Sequence, residues 1–457
     1  MVWNRLALPL GTLGWFLYSV AWFSYDSTLR DGDEDGHVGA AEIFRGILTE
    51  DGPLTYLTAI WIGDYGDYPN LFAGLLGFWW AIVDGQPEDL GFRIFPLCFV
   101  LLTALGVWLR LRHNPTAKLL GATLVLLLPM GNGICRHAMP EGLVMCLLTL
   151  TMALGDMTIE RTTHKRLIAF GLFVGLGALS KHNFIVLGLI PIVWFFWQLG
   201  RKSIIPIIIA SFIAGPWYFT VGLSKAAYVQ STLNSSHLNW ASLIAHPLGL
   251  VWDGLGPILA VGFLTAIRRK SLPERSKSII LWLLGGLAVL MLLPKQYPRL
   301  LLPILPAAIC MIAVWLAQCT RLYQIIFVLL GMAWIHGGTV IQYPVSPLYQ
   351  LGDDGCPQHW LRPPKAADFG LSLLTRQIIK TNPTGVWLTS DLDVPCEIQT
   401  THGLGYHLEY RLRRHGYSGV MTQTPPDHDG QWLKVSWANE EHPTGWTPQT
   451  ELIQVTD

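Results

Sequence analysis

Runs of mostly apolar residues, each long enough to cross about 30 Å of hydrocarbon, recur along residues 6–341. A chain that repeats such runs must satisfy its backbone hydrogen bonds internally, which for this pattern means a bundle of membrane-spanning helices. Composition agrees: 51% of the 457 residues are hydrophobic and 14% charged, far from the balance of a water-soluble enzyme. The equal counts of basic and acidic residues argue against a nucleic-acid partner. The first run, Leu6–Phe23, follows Arg5 and lacks a small-residue cleavage site after it, so it reads as a retained signal anchor.

Lys and Arg gather in the short loops Arg110–Lys118, Glu160–Arg166, Gly200–Ser203, Ala266–Ser278 and Gln318–Gln324, which the positive-inside rule places in the cytoplasm with Arg5. The first loop then lies outside, and Phe92–Leu109 runs inward. Pro69–Val83, apolar but short and bounded by Asp67 and Asp84, is left unpaired and reads as a juxtamembrane or re-entrant helix. Further spans fall near 119–130, 139–157, 167–180, 183–199, 204–222, 247–267, 279–294, 299–317 and 322–341, about eleven in all with the first two. The expected fold is a polytopic α-helical membrane protein: a transmembrane domain over 1–344, with an outer loop at 24–91, and a small extracytoplasmic α/β domain over 345–457. In that last part Lys365–Lys380 has helical spacing, and Gly385–Thr389 and Gly419–Thr422 look like strands. Of the seven cysteines, Cys356 and Cys396 are candidates for a bridge in an oxidising compartment.

The outer loops hold the residues that carry chemistry. Asp31, Asp33, Glu34 and Asp35 cluster just outside the first span, ahead of an amphipathic helix over 36–48 that Asp35 would cap. Asp33 and Glu34 would stand at its positive end, ionised and able to take a proton from a hydroxyl. Against this, single exposed acids are most often solvated caps; four together are harder to explain so. A second loop brings Arg136, His137 and Glu141 to the bilayer boundary, where capping and snorkelling are the plain alternatives. Lys181 with His182, and Lys295 with Tyr297 and Arg299, put cations on the outer side against the topological trend. Such cations suit a phosphate at headgroup depth, whether of a substrate or of anionic lipid. Gly171 and Gly175 read as a helix-packing motif. The histidines, His402 and His407 included, show no metal spacing, and no phosphate-cradling glycine loop is present.

These elements together resemble the GT-C class glycosyltransferases, particularly the protein mannosyltransferase and lipid A aminoarabinose transferase group. Asp33-Glu34 with His37 and Ala41 is similar to their DE-x-x-Y…A signature, and Tyr68-Pro-Asn-Leu71 to a Y-P-P-L element. Arg93 before Ile94-Phe95-Pro96, Arg136 followed by Glu141, Ser180-Lys181, and Tyr297-Pro-Arg299 leading into Leu300–Pro306 follow in the family's order over most of residues 1–320. His37 stands where Tyr is usual, Asn70 where Pro is, and Glu141 where Asp is. The resemblance implies an inverting transfer from a polyprenyl-phosphate sugar to a glycan, lipid or protein acceptor on the outer face of the plasma or inner membrane. It makes Asp33 the base, with Glu34 its neighbour in the catalytic pair. His37, Tyr68, Arg136, His137, Glu141, Lys181, His182, Lys295, Tyr297 and Arg299 become substrate-binding. No cofactor is required, although clustered acids leave room for a divalent ion. The rival reading is a transporter or lipid flippase without covalent chemistry, which would instead place ionisable residues near the bilayer midplane.

Overall fold

The computed structural model describes residues 2–25, 32–65, 68–83, 90–223, 225, 240–272, 276–292, 298–340, 371–388, 408, 412, 417–422, 429–438 and 447–455. Lys295, Tyr297, Cys356, Cys396, His402 and His407 lie outside the described residues, as do Asp31 and the side chains of Asp33 and Asp35. The chain divides into two compact units, Met1–Ala21 with Ala40–Pro363, and Trp22–Gly39 with Pro364–Asp457.

The larger unit is built of apolar helices. Among the described residues, Gly91–Arg110, Pro140–Glu160, His182–Gly222, Leu243–Arg268 and Arg299–Ala317 are long and apolar enough to cross a membrane. The 41-residue stretch is not one straight rod, because it turns at Gly200 (φ 54°) through the 3-10 segment Gly200–Ser203. That separates His182–Leu199 from Ile204–Trp217. Shorter apolar helices include Leu71–Val83, whose 13 residues rise about 20 Å, together with Pro115–Leu126, Ser276–Leu292 and Arg321–Gly337.

Helix starts follow local chemistry. Asn114 accepts from the Ala117 amide at 2.9 Å ahead of Pro115, and Pro140 occupies the first turn of Pro140–Glu160, where its missing N–H costs nothing. The centre of the unit is Pro140–Glu160 with Arg299–Ala317, 83% and 89% buried in their most apolar parts, whereas the His182–Gly222 stretch is 22% buried. Gly171 and Gly175 permit close approach: a Cβ at either would lie 2.6 Å from the Pro206 backbone or 2.8 Å from Ile213. The small-residue motif is therefore a packing device for helices His164–Ala178 and Ile204–Trp217.

At the far end of Pro140–Glu160 from Glu141 sits a buried polar clasp. Arg110 Nε meets Asp156 Oδ2 at 2.5 Å and Arg110 Nη2 donates to Ser278 Oγ at 2.9 Å, while the Ser278 hydroxyl lies 3.1 Å from Asp156 Oδ1. Three helices meet there, Leu97–Arg110, Pro140–Glu160 and Ser276–Leu292. Outside it, Arg112 and His113 pair with Glu160.

The segment read as the outer loop departs from expectation at its start. The helix begins at Gly32 and runs to Gly46, so Asp33–Asp35 are inside its first turn and Asp35 is not a cap; a π-helical turn, Ile47–Asp51, follows. Further on, Phe44, Tyr56, Ala59 and Ala73 form a small core. Tyr56 donates to the Gly74 carbonyl at 2.5 Å, and burial pushes its phenol up to about 12. Asn70 donates to the carbonyls of Ala59 and Gly63, at 3.1 and 2.6 Å, satisfying the C-terminal end of helix Pro53–Ile62.

In the second unit, helix Leu371–Thr381 buries Leu374 and Ile378 on Val386, Leu388, Leu433 and Val435. The strands are β1 (Gly385–Leu388), β2 (Val420–Thr422), β3 (Gly430–Ala438) and β4 (Thr447–Val455), in sheet order β2-β1-β3-β4. β1 pairs parallel with β2 and β3, and β3 antiparallel with β4 through Leu433↔Leu452. Tyr417 closes this core by donating to the Pro383 carbonyl at 3.0 Å.

Candidate active site

Residues from three separated helix starts converge on one carboxylate. Pro140 opens its helix, placing Glu141 in the first turn, where the helix dipole favours an anion. The side chain is 2% exposed. Lys181, extended at the start of helix His182–Leu199, reaches Glu141 Oε1 with its Nζ at 2.8 Å. Arg299, in the 3-10 segment Pro298–Ile304, brings Nε to 3.6 Å from the same oxygen. Lys181 and Arg299 are themselves buried, so the group is an ion triad shielded from water.

Aromatic rings line this triad. Tyr68 lies under Lys181, with Nζ 4.6 Å from its ring centroid. The backbone holds it there: the Leu71 amide donates to the Leu179 carbonyl at 3.2 Å, joining the start of helix Leu71–Val83 to the turn that carries Lys181. His182 stands 6.2 Å from Tyr68 and 5.6 Å from Trp217, ring to ring. The Tyr218 hydroxyl donates to the Ala178 carbonyl at 3.0 Å and lies 3.5 Å from His182 Nδ1.

Arg136, 2% exposed, caps a second stack. Its guanidinium lies 5.5 Å from the Tyr18 ring, which in turn meets His336 edge-on at 4.3 Å. The turn before it is fixed by Asn132, which accepts from Trp15 Nε1 at 2.7 Å and donates to the Leu126 and Leu128 carbonyls. His137, next in sequence, is half-buried.

The structure thus brings Glu141, Lys181, Arg299, Tyr68 and His182 together. Asp33, Glu34 and His37 stand on helix Gly32–Gly46 within the other unit; Glu34 is buried and His37 half-buried. Sequence reading missed Tyr18, Trp217, Tyr218 and His336, because an aromatic or lone His in an apolar run looks like core. Among the described residues no group of three or more His, Cys, Asp or Glu side chains is arranged to hold a metal ion.

Comparison with solved structures shows which proteins share this fold. ArnT from Cupriavidus metallidurans bound to undecaprenyl phosphate superposes over 98% of this chain and 98% of its own, with a TM-score of 0.65 and 12% identity. The same protein in the apo state gives 0.61 at 13% identity, over 96% of this chain and 98% of its own. The apo oligosaccharyltransferase of Archaeoglobus fulgidus gives 0.52 at 12% identity, over 90% of this chain and 60% of that one. By sequence, residues 67–215 match the family described as dolichyl-phosphate-mannose-protein mannosyltransferase, a segment holding Tyr68, Arg136, His137, Glu141, Lys181 and His182. No curated protein sequence matches the chain at a significant level. The resemblance to the GT-C group is borne out, and the chain is an integral membrane protein.

Proposed function

We propose that this protein is a glycosyltransferase that moves a sugar from a polyprenyl-phosphate donor to a hydroxyl of a glycan, lipid or protein acceptor, with inversion, at the outer face of the membrane. The observation that carries the reading is the buried triad: two cations share one carboxylate oxygen, with the buried Arg136 on the same outer loop as Glu141. A cluster of buried cations suits an anionic ligand. A phosphate at headgroup depth is such an anion. ArnT, which shares the fold, is bound to undecaprenyl phosphate, in keeping with this donor class.

In the reaction the acceptor O–H gives its proton to a carboxylate while its oxygen attacks the anomeric carbon from the face opposite the phosphate. The bond between that carbon and the phosphate oxygen breaks, and its electron pair leaves with the phosphate. Lys181 and Arg299 neutralise the charge that grows there, with Lys295 assigned the same role by the family resemblance and Arg136 assisting. The resemblance assigns the base to Asp33, with Glu34 and Glu141 orienting acceptor or sugar. Tyr68 and His182 supply ring faces beside the triad, and His37, His137 and Tyr297 are assigned to substrate contact by position in the family motifs. Nothing in this scheme needs a metal.

The test is transfer from a polyprenyl-phosphate sugar by the purified protein in lipid nanodiscs, comparing the parent with Asp33→Asn and Glu34→Gln. Asp33→Asn is expected to slow transfer at least about 100-fold, the low end of what a positioned base contributes, while donor binding persists. Loss in Glu34→Gln alone would move the base by one residue. Near-normal turnover in both, with an active parent, would remove the acidic loop from the chemistry.

A further inference from the structure

Two ionisable side chains are buried inside the apolar stretch Leu243–Arg268, and the scheme above uses neither. His246 is 0% exposed and Asp253 1%. An acid inside a membrane span is expensive to keep, so it marks a functional contact unless something else explains it. The backbone around Asp253 is also unusual. Helix Trp240–Gly249 passes into a π-helical turn, Leu250–Leu255, that ends at Gly256 with φ 67°, before the helix Gly256–Arg268. π turns insert a residue and re-aim side chains, and they concentrate at functional sites.

The turn is wedged between the two segments that serve the guanidinium groups. It packs against Pro298–Ile304, which carries Arg299, and against Pro129–Ile134, which leads into Arg136; helix Trp240–Gly249 packs against Pro298–Ile304 as well. The approach is tight. A Cβ on Gly254 would lie 2.7 Å from Leu305, immediately after the Arg299 segment, and one on Gly256 would lie 3.1 Å from Pro129. Charge fits the same place: Arg136, Lys181 and Arg299 are three buried cations, and Glu141 is the carboxylate shared by two of them.

Resting on the reading of a polyprenyl-phosphate donor, we infer that Asp253 is a positioning residue of the phosphate site: it sets Arg299 through the packing of the π turn on Pro298–Ile304. It does not touch substrate. The effect of Asp253 therefore depends on Arg299 being present, which a purely structural acid would not require.

The experiment measures undecaprenyl phosphate binding to the purified full-length protein in nanodiscs, for the parent, Asp253→Asn, Arg299→Ala and the double variant, with thermal unfolding of each. Asp253→Asn is expected to weaken binding at least tenfold, and the double variant to bind no worse than Arg299→Ala alone. Additive losses, or parent-like binding by Asp253→Asn, would overturn the assignment. If Asp253→Asn does not fold, Asp253→Glu takes its place: it keeps the charge but shifts it by one methylene, and weakened binding that vanishes in the Arg299→Ala background is again the expected result. A parent that binds no undecaprenyl phosphate would overturn the donor reading, and this inference with it; a binding parent with an indifferent Asp253 overturns the inference alone.

Discussion

Glu141 is the residue on which the site turns, because its Oε1 is shared by Lys181 at 2.8 Å and Arg299 at 3.6 Å in a place water does not reach. A buried ion pair adds little net stability over an apolar replacement, yet removing one partner strands the others. Glu141→Gln keeps the shape and leaves two cations without their shared carboxylate, so it should destabilise the protein by about 3–5 kcal/mol. Thermal unfolding in detergent reads this directly, and a melting temperature equal to the parent's would show the triad to be dispensable for the fold. Glu141, Lys181 and Arg299 were legible in the sequence because a charge at the outer margin of an apolar run is conspicuous. Asp253 was not singled out, since a single acid within the predicted span 247–267 carries no sign of the π turn that re-aims it. Likewise Asp35 looked like a cap only because three glycines in Gly32–Gly39 hide how early the helix starts.

At the scale of elements, the central helix Pro140–Glu160 is anchored by charge at both ends. Asp156 lies fifteen residues beyond Glu141, about 22 Å along the axis. There Arg110 and Ser278 join it to two further helices. Sequence reading took Arg110 as one basic loop residue among several; the structure makes it a buried partner, which periodicity could not reveal because Asp156 is 46 positions away. Breaking the pair by Asp156→Ala or Arg110→Ala should cost about 3–5 kcal/mol, whereas Arg110→Met with Asp156→Leu together should come within about 1 kcal/mol of the parent or exceed it. Denaturation of the three variants checks this. A double variant less stable than either single one would mean that the clasp supplies net stability rather than register. Helices and strands themselves were largely legible: Gly385–Leu388 and Val420–Thr422 fall where strand-forming runs were read, and helix Leu371–Thr381 within one residue of the C-terminal limit expected.

For the whole molecule, sidedness decides which solution the site faces. Helix Leu71–Val83 rises about 20 Å, less than roughly 30 Å of hydrocarbon, whereas Gly91–Arg110 is long enough to cross; the positive-inside reading therefore predicts that Leu71–Val83 leaves the direction of the chain unchanged between the first helix and Gly91–Arg110. The same reading predicts that Gly91–Arg110 runs inward and delivers Arg110, Arg112 and Lys118 to the cytoplasmic side. It also predicts that the two charge clusters on Pro140–Glu160 face opposite sides of the membrane: the Arg110–Asp156 clasp inward, and Glu141 with Lys181 and Arg299 outward. Single cysteines placed at Thr116 and at Glu451, both exposed, in a background without the seven native cysteines test this. A membrane-impermeant maleimide applied to intact cells should modify Glu451→Cys within minutes and reach Thr116→Cys only after permeabilisation. Labelling of Thr116→Cys from outside would turn the bundle over, place the triad on the cytoplasmic face, and require a donor presented there.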